Sequence, residues 1–180
     1  MLAVQRGEVA AFDELFRKHI GAIVGFAAQF VGNRARAEEL AQDVFLRLYR
    51  TRSRYVPTAR FTTWLYRMVT NACLSETRRA DFRARPQMVR PASETEDDRL
   101  DPEIPTASTE EAVAGIEALA QAETVVRALP AQQRAALLLA RVEGLSYDEV
   151  AESMGCSVPA VKSLIHRATL TLREKLGEGR

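Results

Sequence analysis

The 180-residue chain has only two cysteines, two histidines and one tryptophan, and its formal net charge is +1. Each scarcity excludes something. Cys73 and Cys156 lie in different halves with no CxxC spacing, so they read as reduced, buried thiols of a cytosolic protein. His19 and His166 stand alone, and no HExxH, GxSxG or glycine-rich phosphate loop is present, which argues against an enzyme, a metal site or a cofactor. No apolar run approaches the roughly 20 residues needed to cross a bilayer. Met1 to Asp13 lacks the apolar stretch of a secretory signal. The expected location is the cytoplasm, with no direct membrane insertion. A charge so near zero also excludes a bulk polyanion binder. From Pro130 to Arg180, six carboxylates (Glu143, Asp148, Glu149, Glu152, Glu174, Glu178) oppose seven bases (Arg134, Arg141, Lys162, Arg167, Arg173, Lys175, Arg180). Phosphate neutralisation drives non-specific DNA affinity, so this half alone is expected to hold DNA weakly.

What is present begins with Gly144 to Arg167. Ser146 followed by Glu149 has the spacing of a capping box, in which hydroxyl and carboxylate satisfy first-turn N–H groups reciprocally. Gly144 stands where the preceding helix must stop, and Gly155 is free to take positive φ between two helices. Ser157 can cap the second helix, and Pro159 in its first turn loses no needed hydrogen bond. Val161, Ile165, Ala168, Leu172 and Leu176 recur at helical spacing and should face a core. Ala160, Lys162, Ser163, His166 and Arg167 then fall largely on the other side. Small residues permit close approach, and Lys and Arg suit phosphates and guanine edges, so the pattern reads as a DNA-binding helix-turn-helix. A plain helical hairpin with a solvated basic face has the same pattern.

Elsewhere the periodicity is helical and no strand or hairpin signal is convincing. Phe12, Leu15, Phe16, Ile20, Ile23, Val24 and Ala27 mark one amphipathic helix, which Gly32-Asn33 breaks. Leu40, Ala41, Val44, Phe45 and Leu48 mark a second, with Glu38, Glu39, Gln42, Asp43 and Arg47 opposite. Arg52 to Arg60 reads as a loop, and a third helix should run from about Thr62 to Phe82. The predicted class is all-α: an N-terminal helical domain (1–85), a flexible acidic linker (86–111) and a C-terminal helix-turn-helix domain (112–180). The linker carries four prolines and eight carboxylates against Arg90 and Arg99, leaving it little to bury. It reads either as a solvated tether or as a mimic of nucleic acid in a basic channel of a partner.

The stretch Arg60 to Arg79 holds the only tryptophan, with Arg60, Arg67, Arg78 and Arg79 around it. Aromatic faces interleaved with arginine suit unstacked bases, each stacked base contributing on the order of 1–3 kcal/mol. Phe61, Trp64, Leu65, Met68 and Ala72 are also spaced as core positions, which is the stronger reading for Trp64. Asn71 and the arginines read as surface groups.

Arg36 to Arg50, Phe61 to Arg67, Gly144 to Glu149 and Val161 to Ala168 together resemble the extracytoplasmic-function sigma factors, small two-domain initiation factors of bacterial RNA polymerase. The resemblance covers both lobes. It implies that Glu39, Gln42, Asp43, Phe45 and Leu46 dock on the β′ clamp helices of core polymerase. It implies that Tyr55, Arg60, Thr63, Trp64, Arg67, Asn71, Arg78 and Arg79 read and melt the −10 element. Ser157, Ala160, Lys162, Ser163, His166 and Arg167 then match the −35 reader. The implied partners are core polymerase (β′ and β), promoter DNA and an anti-sigma protein; the linker matches the family's connector through polymerase channels. Two departures stand out: the loop Ser53 to Arg60 has no acidic residue and contains Pro57, and His166 often has another residue in its place. With no domain after Leu176, a sensing tail is not expected.

Opening about ten base-pair steps costs on the order of 14 kcal/mol. A few captured bases on a lobe this small cannot supply that, so polymerase must hold the rest of the bubble. The competing reading is an autonomous helix-turn-helix regulator, which would bind duplex DNA tightly without polymerase.

Overall fold

Gly32 and Asn33 divide the first apolar pattern into two helices. Gly32 adopts φ 68° and sends its N–H to the Ala28 carbonyl, and Asn33 then accepts from the Arg36 N–H to start the next helix. In the computed structural model, which describes residues 1–58, 60–84 and 110–177, these helices are α2 (Val9–Val31) and α3 (Arg34–Arg50). A short helix α1 (Leu2–Gln5) precedes them. A 3-10 turn at Arg52–Arg54 follows, and then α4 (Phe61–Ala84). The C-terminal half holds α5 (Glu110–Ala128), α6 (Ala131–Arg141), α7 (Tyr147–Met154) and α8 (Val158–Gly177). Every regular element among the described residues is helical, and they fall into two compact units, α1–α4 and α5–α8. Most of the acidic stretch expected as a linker lies outside the described residues. Its last two positions, Glu110 and Glu111, belong to α5.

The first unit is held by α3, whose buried face meets both α2 and α4. Ala37, Leu40, Ala41, Val44, Phe45 and Leu48 are all buried, against Ile23, Phe26 and Ala27 of α2 and Leu65, Val69 and Cys73 of α4. The Phe45 ring is edge-on to Phe16 at 4.9 Å and to Phe12 at 6.5 Å, and Phe12 is edge-on to Tyr49 at 5.0 Å.

The second unit buries Val125 of α5, Leu129 in the turn after it, Ala135 and Leu139 of α6, Val150 of α7, and Val161, Ile165 and Ala168 of α8. Arg134, also buried, donates to the Leu129 carbonyl at 2.9 Å and so secures the turn between α5 and α6. That turn places Pro130 just before the helix rather than inside its first turn. Leu176, expected in the core, is exposed in the final turn of α8, beyond the elements that cover the rest of its apolar stripe.

Two stability predictions concern the first unit, where Trp64 fluorescence reports unfolding. Phe45→Ala should lower stability by about 3–5 kcal/mol, read as a lower urea midpoint. His19 lies 5.6 Å from Phe61, and burial together with the Lys18 charge lowers its pKa below 6.5. A depressed folded-state pKa means that protons bind the unfolded chain better. The midpoint should therefore hold above pH 6.5 and fall as pH drops through the lower folded value, and His19→Gln should remove that slope.

Candidate docking and nucleic-acid interfaces

Helix α3 commits one face to the core and so presents the other. Glu39, Gln42 and Asp43 are exposed, and Leu46 is 52% exposed beside them, an apolar side chain in an acidic rim. Phe45 is a correction to the expected docking set. At 1% exposure it is a core ring, packed edge-on against Phe12 and Phe16 rather than presented on that face.

The loop after α3 is pinned from three sides. The Gln5 side-chain amide donates to the carbonyls of Ser53 and Tyr55, both at 3.2 Å. Arg52 lies 4.2 Å over the Tyr49 ring and donates to the Tyr49 carbonyl at 2.8 Å. The Tyr55 ring packs edge-on against Trp64 at 5.2 Å and against Phe61 at 6.3 Å. Tyr55 is consequently only 7% exposed and Thr63 1%, so neither can touch a base in this conformation, which corrects both expectations. Trp64 is half-buried: one side serves the aromatic cluster, as core spacing requires, and the other reaches the surface. Val56, Pro57 and Thr58 form the exposed tip.

Arg60, just before α4, and Arg67, Asn71, Arg78 and Arg79 along it are exposed, as expected. Asn71 and Arg79 line a cleft of about 260 Å³ against Arg36, Asp43 and Arg47 of α3. At its end lies a carboxylate that periodicity alone does not single out. Glu76, with its side chain 13% exposed, accepts from Arg36 at 3.1 Å and Arg83 at 3.4 Å and pairs with Arg79 at 3.6 Å. Burial pushes the Glu76 carboxyl upward. The Arg36 hydrogen bond and the charges of Arg36, Arg83 and Arg79 outweigh it, leaving the pKa below the ordinary value. Arg36 also donates to Glu39 at 2.8 Å. A sequence signal exists in hindsight, because Glu76 precedes Arg79 by three residues and Arg83 by seven, on one helical face.

In the second unit the two helix starts form as their sequence indicates. Ser146 N–H donates to the Glu149 carboxylate at 2.9 Å while Glu149 N–H donates to the Ser146 hydroxyl at 3.3 Å. Gly144 and Gly155 take φ 68° and 64°. The Ala160 N–H donates to the Ser157 hydroxyl at 3.4 Å. With Val161, Ile165 and Ala168 buried, Ser157, Lys162, Ser163, His166 and Arg167 are exposed and Ala160 is half-buried. Lys162 and His166 border a shallow cavity of about 230 Å³ with Tyr147, Thr169, Arg141 and Arg173. Arg141 and Arg173 extend the basic face beyond the expected set; Lys162, His166, Thr169 and Arg173 follow an i, i+4, i+7, i+11 row. Cys156, in the turn, is half-exposed, and burial pushes its thiol upward, away from a reactive thiolate.

Residues 15–83 match the family model for Sigma-70 region 2, and residues 119–172 match that for Sigma-70, region 4. The chain is 36% identical over 176 residues to the RNA polymerase sigma factor CarQ of Myxococcus xanthus, covering 96% of this chain and 92% of that protein. It is 32% identical over 177 residues to the ECF RNA polymerase sigma factor SigM of Mycobacterium tuberculosis, covering 95% and 80%. Its fold is like that of the sigma factor RpoE of Bartonella quintana, solved with the anti-sigma factor NepR, at TM-score 0.70 and 22% identity over 94% of this chain and 99% of that one. With an exposed acidic face on one unit, a capped helix-turn-helix on the other and these matches over nearly its whole length, the chain belongs to the extracytoplasmic-function sigma factors of bacterial RNA polymerase.

Proposed function

We propose that the chain binds core RNA polymerase and directs promoter-specific initiation by reading two DNA elements. The observation that carries this reading is the pairing, in one chain, of the exposed α3 face with the exposed basic face of α8. The N-terminal domain (1–85) docks on the polymerase β′ subunit through Glu39, Gln42, Asp43 and Leu46. Arg60, Arg67, Asn71, Arg78, Arg79 and the exposed side of Trp64 contact the −10 element as it melts. The linker (86–111) follows the polymerase channels. The C-terminal domain (112–180) meets the β subunit and reads the −35 element through Ser157, Ala160, Lys162, Ser163, His166 and Arg167. An anti-sigma protein, of the kind seen with RpoE, is a third partner.

Sigma factors are initiation factors, and no catalytic residue is assigned to this one; phosphoryl transfer belongs to polymerase. Among the described residues no helix is long and apolar enough to cross a membrane, and a partner of polymerase works in the cytoplasm.

In-vitro transcription with purified core enzyme on a genomic promoter library tests the reading: specific starts should appear only when the chain is added, and a library with none overturns it. In the same assay Asp43→Arg should weaken core binding at least about tenfold, or roughly 1.4 kcal/mol. Lys162→Ala with Arg167→Ala should leave core binding intact and cut transcription from −35-dependent promoters about ten- to a hundredfold, the scale of a lost base contact. Equal loss of core binding in both variants would show that the roles are not separate. A gel shift with the free chain should show weak duplex binding; tight sequence-specific binding would favour the autonomous regulator.

A further inference from the structure

Glu76 answers three guanidinium groups at once, those of Arg36, Arg79 and Arg83, on the face of α4 read above as a DNA surface. Arg36 in turn divides its two terminal nitrogens between Glu76, at 3.1 Å, and Glu39, at 2.8 Å. Glu39 belongs to the proposed docking face. A continuous row of ion pairs thus runs from the α3 face to the basic end of α4. Glu76 is the most enclosed member: its side chain is 13% exposed, against 46% for Arg36, 62% for Glu39, 73% for Arg79 and 70% for Arg83.

We infer that Glu76 is a positioning residue that competes with DNA phosphates for Arg79 and Arg83, and that docking on Glu39 relieves this competition. The inference rests on the reading of α4 as a DNA surface. The chemistry is an exchange of partners. A phosphate that captures Arg79 or Arg83 leaves Glu76 with Arg36, so the enclosed carboxylate keeps an opposite charge. In the free chain Arg36 is shared with Glu39, and Glu76 depends more on the other two arginines. When a cation of the polymerase takes Glu39, Arg36 is committed to Glu76, and Arg79 and Arg83 are released to the nucleic acid. Polymerase docking and DNA capture then favour each other, because each ligand improves the charge balance that the other needs. The free chain is correspondingly poor at holding DNA.

The test is fluorescence anisotropy of the full chain with a labelled single-stranded oligonucleotide across a salt series. Glu76→Gln should tighten binding about three- to tenfold at low salt, the scale of two surface ion pairs released. It should also steepen the slope of log Kd against log salt by about 0.7 for each arginine freed. Glu39→Gln should move in the same direction. Glu38→Gln, which adds the same charge but frees Arg34 at the other side of α3, should leave the slope unchanged. Adding Arg79→Gln and Arg83→Gln to Glu76→Gln should abolish the gain, and circular dichroism melts confirm that each variant is folded. An unchanged slope in Glu76→Gln, or an equal gain in Glu38→Gln, overturns the inference. If Arg67→Ala still weakens binding in that case, the DNA reading of α4 survives; if Arg67→Ala also has no effect, that reading fails with it.

Discussion

The first unit depends on burying one side of α3. Phe45, Leu40, Val44 and Leu48 cannot be solvated without exposing several large apolar side chains, each costing about 1.5–3 kcal/mol. Their burial between α2 and α4 fixes the rotation of the helix about its axis. Once that rotation is fixed, Glu39, Gln42, Asp43 and Leu46 have only one direction to point. The proposed docking face therefore needs no dedicated scaffold, because it is the unavoidable reverse of the core. The same burial seats α4 and with it the row of arginines that ends at Arg83.

The C-terminal unit reaches a comparable result by different means. Helix α8 is oriented by punctuation as much as by packing. Two left-handed glycines, a reciprocal cap and a serine hydroxyl at the head of α8 set where each helix begins and stops. Val161, Ile165 and Ala168 then lock the rotation. The outward row of Lys162, His166 and Arg173 follows, and polar side chains on α8 can be exchanged without touching the elements that aim it.

Features governed by short-range rules were legible in the sequence. Capping at Ser146, the breaks at Gly32 and Gly155, the all-α class and the exposed positions on α3 and α8 all follow from spacing and from residues that stabilise turns. What escaped was set by contacts distant in sequence. Phe45, Tyr55 and Thr63 sit inside recognisable motifs, yet a motif does not say which members support and which touch; Phe12, Phe16 and Trp64, all remote in sequence or across a turn, decide that. Glu76 belongs with them. Arg79 and Arg83 mark its face of α4 by their spacing, but its third partner, Arg36, lies forty residues earlier, and no pattern within α4 reveals that contact.

The tether from Gln5 to the loop has a bearing on how the loop itself can diversify. One side-chain amide, about fifty residues upstream, answers two backbone carbonyls of that loop. Backbone carbonyls are present whatever the side chains, so this tether survives substitution within the loop, whereas the Arg52 and Tyr55 contacts do not. Conversely, a loop transplanted from a relative carries its letters but not its path unless the donor at position 5 travels with it. Sequence drift in the loop and inheritance of that tether are thereby uncoupled, and they lie at opposite ends of the N-terminal unit's first fifty-five positions.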